Sequence, residues 1–296
     1  MIWEGVFAAI TTPFTADLAV DEQFLARHAT WLLDAGCTGI VPLGSLGEGA
    51  TLTREEKRRV TAVCREVTRG RAALVPGVAA LSTEEAISLA REAESMGADG
   101  LMVLPPYVYR GDARETEVHF TRVIGATSLP AMLYNNPIAY GTDLAPEQIA
   151  RLAAALPGLV SVKESSTDVR RITDLKARLG DRLALFVGVD DLIVEGIAAG
   201  AVGWIAGLVN ALPIESTRLF ALARSGRWNE AAELYRWFLP LLRLDTLPKF
   251  VQLIKLVQSE VGMGSPRVRP PRLELGAEEL AATLVTIREA LARRPR

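Results

Sequence analysis

The sequence predicts an α/β fold, a (β/α)8 TIM barrel with a C-terminal helical extension, on three observations. Eight short apolar runs alternate with longer amphipathic stretches as far as Ser225. That alternation is what parallel strands with helical crossovers require, and eight such units close without leaving a free edge. A doubly wound open sheet would carry a glycine-rich dinucleotide loop after its first strand, and the segment from Ala8 to Phe14 has none. Beyond Ser225 the alternation stops and helical spacing takes over, so residues 1–225 read as the barrel and 226–296 as the extension.

The strand runs are 6–10, 39–42, 73–76, 100–104, 130–134, 159–163, 183–187 and 202–206. Each is short, apolar and bounded by turn residues, as expected of strands buried on both faces. Helical patterns lie near 21–35, 54–69, 83–96, 114–127, 146–155, 169–179, 191–199 and 214–225. Thr53 with Glu56 and Ser82 with Glu85 have capping-box spacing, in which each side chain satisfies an amide left open by the first turn. Pro146 and Pro213 suit a first helical position. Gly36, Gly97 and Gly200 each stand three residues before a further glycine and read as C-caps leading into the next strand. In the extension, Leu234, Trp237, Phe238, Leu241 and Leu242 follow one helical stripe, and Phe250, Leu253, Ile254 and Val257 another. Such stripes pack on the barrel or on a partner chain. Pro240 should kink or end the first helix. Residues 269–271 look like a linker before a last helix at 277–292.

Composition narrows the function class. The 296 residues carry 33 basic and 35 acidic side chains, a formal charge of −2, and no basic stripe. This argues against nucleic acid as a partner. Arg293, Arg294 and Arg296 read as a solvated tail. The two cysteines, Cys37 and Cys64, have no redox or metal spacing, and the two histidines, His28 and His119, fall inside helical patterns. No metal or other cofactor is therefore expected. The N-terminal stretch lacks the basic and long apolar regions of a signal peptide, and no run is long enough to span a bilayer. A soluble, cytoplasmic protein without membrane partners is the expectation.

One residue stands out chemically. Lys163 ends the apolar run Leu159-Val160-Ser161-Val162-Lys163. Strand alternation puts Leu159, Ser161 and Lys163 on one face. An amine there is either paired with a carboxylate, Glu164 or Glu48, or kept for chemistry. An uncharged lysine amine attacks carbonyl carbon and forms a Schiff base with a 2-oxo acid. In a barrel, residues at strand C-termini converge on one rim. That rule brings Lys163 towards Tyr134, at the end of the fifth run, and towards Gly44-Ser45-Leu46-Gly47-Glu48 after the second. Successive amides of such a glycine turn bind a carboxylate or phosphate, and a phenol with a serine hydroxyl can relay protons. The small residues around Ile205, Gly203 and Gly207, leave room over the barrel mouth.

These stretches resemble a known family. GVFAAITTPF at 5–14, GSLGEGATLT at 44–53, LYNNP at 133–137, VKESS at 162–166, GVDD at 188–191 and GAVGWIAGL at 200–208 together resemble the dihydrodipicolinate synthase and N-acetylneuraminate lyase superfamily of class I lyases. The resemblance implies Lys163 as the Schiff-base lysine, Tyr134 as the general acid/base and Ser45 in the proton relay. It implies that the backbone around Ser45, Leu46 and Gly47 holds the substrate carboxylate, with Ile205 lining the site. It also implies a homotetramer, a dimer of dimers. Asn136, Ser165 and Tyr140 are further candidates for substrate contact.

The departures narrow the reaction. The lysine-biosynthesis members usually have a second hydroxyl residue where this chain has Leu46, and an arginine for a second carboxylate where it has Ala139. Their relay tyrosine from a neighbouring subunit falls at Val108, flanked by Tyr107 and Tyr109. The segments LYNNPIAYGTD, VKESSTDVRR and LYRWFLPLLRLD look most like bacterial hydroxyproline-pathway deaminases. These convert 1-pyrroline-4-hydroxy-2-carboxylate to 2-oxoglutarate semialdehyde and ammonia. A 2-keto-3-deoxy sugar-acid aldolase or dehydratase, or 4-hydroxy-tetrahydrodipicolinate synthase, is the alternative. A barrel that binds a 2-oxo acid without turnover is a further one.

Overall fold

The computed structural model describes residues 3–295. Arg296 of the expected tail lies outside them, as do the first two residues of the N-terminal stretch. Nine strand segments form one all-parallel sheet: β1 (Gly5–Ala8), β2 (Gly39–Ile40), β3 (Ala73–Leu74), β4 (Gly77–Val78), β5 (Leu101–Val103), β6 (Ala131–Asn135), β7 (Leu159–Glu164), β8 (Ala184–Val187) and β9 (Gly203–Ala206). They run in the order β3-β2-β1-β9-β8-β7-β6-β5-β4. The two ends of that order, β3 and β4, are halves of the third predicted strand. Along this run the amides of Ala73, Val75 and Gly77 bond to the β2 side, while the carbonyls of Leu74, Pro76 and Val78 accept from the β5 side. The barrel is therefore closed with eight strands. Pro76 splits the third because it brings no N–H to the ladder.

Helices alternate with the strands: α1 (Glu22–Asp34), α2 (Arg54–Thr68), α3 (Thr83–Ser95), α4 (Ala113–Ile124), a short α5 (Pro137–Tyr140), α6 (Pro146–Ala155), α7 (Arg170–Leu179), α8 (Ile193–Ala198) and α9 (Pro213–Arg224). The caps follow the sequence. Asp21 accepts from Phe24 N, Thr53 and Glu56 form the reciprocal box, and Ser82 accepts from Glu85 N. Pro146 and Pro213 open α6 and α9, and Gly36, Gly97 and Gly200 take positive φ.

Two apolar layers result. Inside the barrel, Phe7, Val41, Val75, Met102, Met132, Phe186 and Ile205 fill the cylinder, and a much larger core lies between strands and helices. Leu159 belongs to that outer core, so it does not share the face of Ser161 and Lys163. Ala131 pairs with Leu159 and Met132 with Ser161, an irregularity that absorbs one residue and resets the alternation.

The extension, α10 (Trp228–Leu242), a 3-10 turn at Arg243–Thr246, α11 (Phe250–Glu260) and α12 (Ala277–Ala292), packs on the barrel and shares its outer core through Leu234, Phe238, Leu241, Ile254 and Val257. Helix α10 runs through Pro240 and ends two residues later. So near a C-terminus the proline forfeits a single ladder bond. The predicted linker is a tether: Arg269 binds Glu56 with both guanidinium nitrogens and donates its own amide to Glu48. Arg294 pairs with Glu215 rather than standing free in solvent. Among the described residues no helix is long and apolar enough to cross a membrane.

Candidate active site

The C-terminal ends of the strands and the 3-10 turn at 243–246 enclose a cavity of about 520 Å³. Lys163 on β7 and Tyr134 on β6 are register partners, so their side chains stand side by side on the inner face. Lys163 is 7% exposed, and its Nζ lies 4.0 Å from the centre of the Tyr134 ring. Among the described residues this amine has no carboxylate partner. Glu48, one of the two carboxylates expected within its reach, is bound to Lys255. The other, Glu164, accepts from Asn135 Nδ2 and from the Ser166 amide. The lysine therefore faces a π surface and an open cavity.

Tyr134 is held by its neighbour two residues on. Asn136 caps α5 by accepting from Ala139 N, and its amide donates to the Tyr134 hydroxyl at 3.0 Å. Asn136 thus positions the phenol. Ser45 does not bond to Tyr134; its hydroxyl meets that of Tyr140, whose ring stands edge-on to Tyr134 at 5.8 Å between centroids. Burial and the nearby Tyr134 push the Tyr140 phenol up from its ordinary value. The partner of the Ser45 hydroxyl at this rim is therefore Tyr140, a residue delivered by the short turn of helix after Pro137. Tyr107 of the same chain packs 6.0 Å from Tyr140, whereas Tyr109 points to Glu115.

On the opposite wall the turn after β2 supplies donors. Among the described residues the backbone amides of Ser45, Leu46 and Gly47 have no hydrogen-bond acceptor. Open, successive amides of this kind form an anion-binding nest. Ser45 and Leu46 line the cavity, but Gly47 does not, and its carbonyl accepts from Thr12 at 2.6 Å. Ile205 lines the floor. Ser165 adds a buried hydroxyl with no partner of its own.

Three cavity residues escaped sequence reasoning. The room left by Gly203 and Gly207 is not empty: a Cβ on Gly203 would lie 2.2 Å from the Phe186 ring, and one on Gly207 would lie 2.1 Å from a carboxylate oxygen of Asp245. Likewise a Cβ on Gly188 would lie 2.6 Å from Lys163 Cε. Asp245 and Arg272 reach the cavity from the extension, and only the packing of distant helices brings them there. Gly188 had a signal, since it stands in the GVDD stretch.

Residues 3–290 match the model of the dihydrodipicolinate synthetase family. The chain belongs to that family. Like its homologues it is an enzyme, a class I lyase. The 4-hydroxy-tetrahydrodipicolinate synthases of Methanopyrus kandleri and Anaplasma marginale are each 35% identical to it, over 92% of this chain and 91% and 89% of theirs. Among solved structures, the 4-hydroxy-tetrahydrodipicolinate synthase of Methylacidiphilum fumariolicum superposes with a TM-score of 0.92 at 30% identity, covering 98% of this chain and 97% of that one. A chloride-inhibited dihydrodipicolinate synthase from Acinetobacter baumannii, solved in complex with pyruvate, gives 0.93 at 28% identity, covering 98% and 99%. This family member keeps the fold of these relatives and carries the lysine, phenol and amide turn described above on the rim.

Proposed function

We propose that this lyase binds a small 2-oxo or cyclic 2-imino acid covalently through Lys163, with Tyr134 moving protons at the Schiff base and the Ser45–Leu46 amides holding the substrate carboxylate. The single observation that carries this reading is Lys163 itself, an amine buried in a cavity wall without a carboxylate partner and stacked on a phenol. The pyruvate complex of the A. baumannii relative supports a 2-oxo acid as ligand. Borohydride trapping with pyruvate, followed by peptide mass analysis, tests the step. An adduct on Lys163 is expected, and its absence with every 2-oxo acid tried would sink the reading.

Within that class, the reaction we favour is deamination of 1-pyrroline-4-hydroxy-2-carboxylate. Lys163 adds to C2 and the ring opens to its amine. Loss of a C3 proton and of the 4-hydroxyl as water follows. A proton shift from C5 to C3 turns the resulting C3–C4 double bond into an imine at C5, and two hydrolyses, at the Lys163 iminium and at that imine, release 2-oxoglutarate semialdehyde and ammonia, so one water is consumed overall. Ala139 and Leu46 support this reading, because these two positions lack the arginine and second hydroxyl that the lysine-biosynthesis members carry there. A second reading, 4-hydroxy-tetrahydrodipicolinate synthase, is favoured by the names of the relatives, and by Arg272, a guanidinium on the cavity wall. Ammonia release from the hydroxypyrroline and formation of 4-hydroxy-tetrahydrodipicolinate separate the two in one assay series. The assembly that accompanies either reading is a homotetramer. Exposed Val108 and Tyr109, next to cavity-lining Tyr107, support a subunit contact there, and light scattering measures it.

A further inference from the structure

The carboxyl of Asp245 has no use in the fold. It sits in the 3-10 turn after α10 and lines the cavity that holds Lys163 and Tyr134. Among the described residues neither of its oxygens has a hydrogen-bond or ion-pair partner. It lies flat against Gly207 at the end of β9, where a Cβ would come within 2.1 Å of one oxygen and 2.6 Å of the carboxyl carbon. The strand end is thus stripped of side chain at the point where this carboxyl enters.

The neighbouring acid behaves differently. Asp190 is saturated, accepting from Trp204 Nε1 at 2.9 Å, from the Gly207 amide at 3.1 Å and from the Leu208 amide at 2.7 Å. Burial raises Asp190 to about 6, and these donors pull it back towards the carboxylate form. One acid of this adjacent pair is therefore fixed in place by the backbone, while the other stands free in the wall. Beside a neighbouring carboxylate, the free acid keeps its proton more readily.

We propose that Asp245 is the proton donor for a hydroxyl leaving from C4 of the substrate carried on Lys163. This rests on the reading that the substrate is a 4-hydroxy-2-oxo or 4-hydroxy-2-imino acid. In the step, the C3–H electron pair moves into the C2–C3 bond of the Lys163 iminium and gives an enamine, the proton going to the Tyr134 side. That pair then forms the C3–C4 double bond as the C4–O bond breaks. The departing oxygen takes the Asp245 proton and leaves as water, Asp245 is left as a carboxylate, and the Lys163 iminium is restored. Hydroxide is a poor leaving group, so the step needs an acid at this position. The surroundings supply one. Burial first, then the Asp190 and Asp191 carboxylates of the adjoining turn, hold Asp245 well above the usual carboxylate range, against the opposing charge of Lys163. Of the other charges nearby, Arg243 on the same turn is directed to Asp191 at 3.8 Å, and Arg272, which lines the same cavity, lies 4.0 Å from Glu48.

The test uses the full chain and an Asp245→Asn variant. Borohydride trapping of pyruvate on Lys163, and exchange of C3 hydrogens in heavy water, should persist in the variant, which shows that the site is folded and the Schiff base forms. Ammonia release from 1-pyrroline-4-hydroxy-2-carboxylate should fall by about 10²–10⁴-fold, the range for loss of a general acid. A 4-chloro analogue, whose leaving group needs no proton, should react at nearly the rate of the unaltered enzyme. Equal losses with both leaving groups, or loss of trapping, would overturn the role of Asp245 while leaving the deaminase reading intact. An unaltered enzyme that releases no ammonia but forms 4-hydroxy-tetrahydrodipicolinate would overturn both.

Discussion

Two buried lysines in this chain share a setting and differ in company. Lys163 is 7% exposed and lies over the Tyr134 ring at 4.0 Å; Lys255 is 2% exposed and lies over the Phe14 ring at 4.4 Å. Lys255, however, is fully satisfied. It binds Glu48 at 2.5 Å and the carbonyls of Thr12 and Arg267 at 2.8 Å each. Burial pushes its ammonium down, and the Glu48 charge pulls the other way. That cluster joins α11 to the turns after β1 and β2, so it is an internal tie between extension and barrel. Lys163 has the ring and the cavity but, among the described residues, no carboxylate at ion-pair distance. The difference lies in company rather than in burial: Lys255 is spent on Glu48 and two carbonyls, whereas Lys163 is left facing the cavity.

The largest effect expected from breaking this contrast is at Lys163. A Lys163→Met variant should keep the fold, as judged by circular dichroism, and lose turnover and borohydride trapping entirely. If trapping survives there, the nucleophile is elsewhere. Next, Tyr134→Phe removes the hydroxyl while keeping the ring under the amine, and should lower kcat by about 10²–10⁴-fold with little change in stability. Stopped-flow or steady-state rates measure this.

At the other lysine the sign of the outcome reverses. Lys255→Met leaves buried Glu48 with the Arg269 amide and Arg272 at 4.0 Å but without its nearest cation, and should cost about 3–5 kcal/mol of stability by denaturant titration. Adding Glu48→Gln should recover much of that loss. A Lys255→Met protein as stable as the parent would erase the distinction drawn above. The smallest effect concerns the same tie. His28 donates Nε2–H to Asn210 O and contacts Gln258 of α11, and burial holds it down at about 4 instead of the ordinary 6.5. Because the folded value is the lower one, the contribution of neutral His28 is complete above 6.5. It shrinks as pH falls, until the folded protein itself takes the proton near 4. The loss across that window is about 3 kcal/mol, and a His28→Asn variant should flatten the slope in urea titrations.

Much of the rim was legible in the chain, and the reasons are local. Lys163 and Tyr134 each end an apolar run, and in a parallel barrel all such ends meet at one face. The open amides at Ser45 and Leu46 follow from a glycine-rich turn. Leu159 was misplaced because an irregular pairing step cannot be seen in one strand alone. Asn136 reads as a substrate contact in sequence, and only coordinates show its amide spent on the Tyr134 hydroxyl. The Ser45–Tyr140 contact was out of reach for the same reason, since it depends on how the turn after Pro137 folds back over the cavity.

By itself the order of apolar runs, caps and breaks determined the barrel, the positions of its strand ends and the helical nature of the last seventy or so residues, because hydrophobic period and capping act over a few neighbours. Which side chains complete the cavity was settled by tertiary packing. Asp245 and Arg272 arrive from the extension, Gly188 and Gly207 give way to Lys163 and Asp245, and Glu48 is taken by Lys255 and so kept from Lys163. Pairings between groups far apart in the chain depend on how whole helices dock, and no local pattern records that.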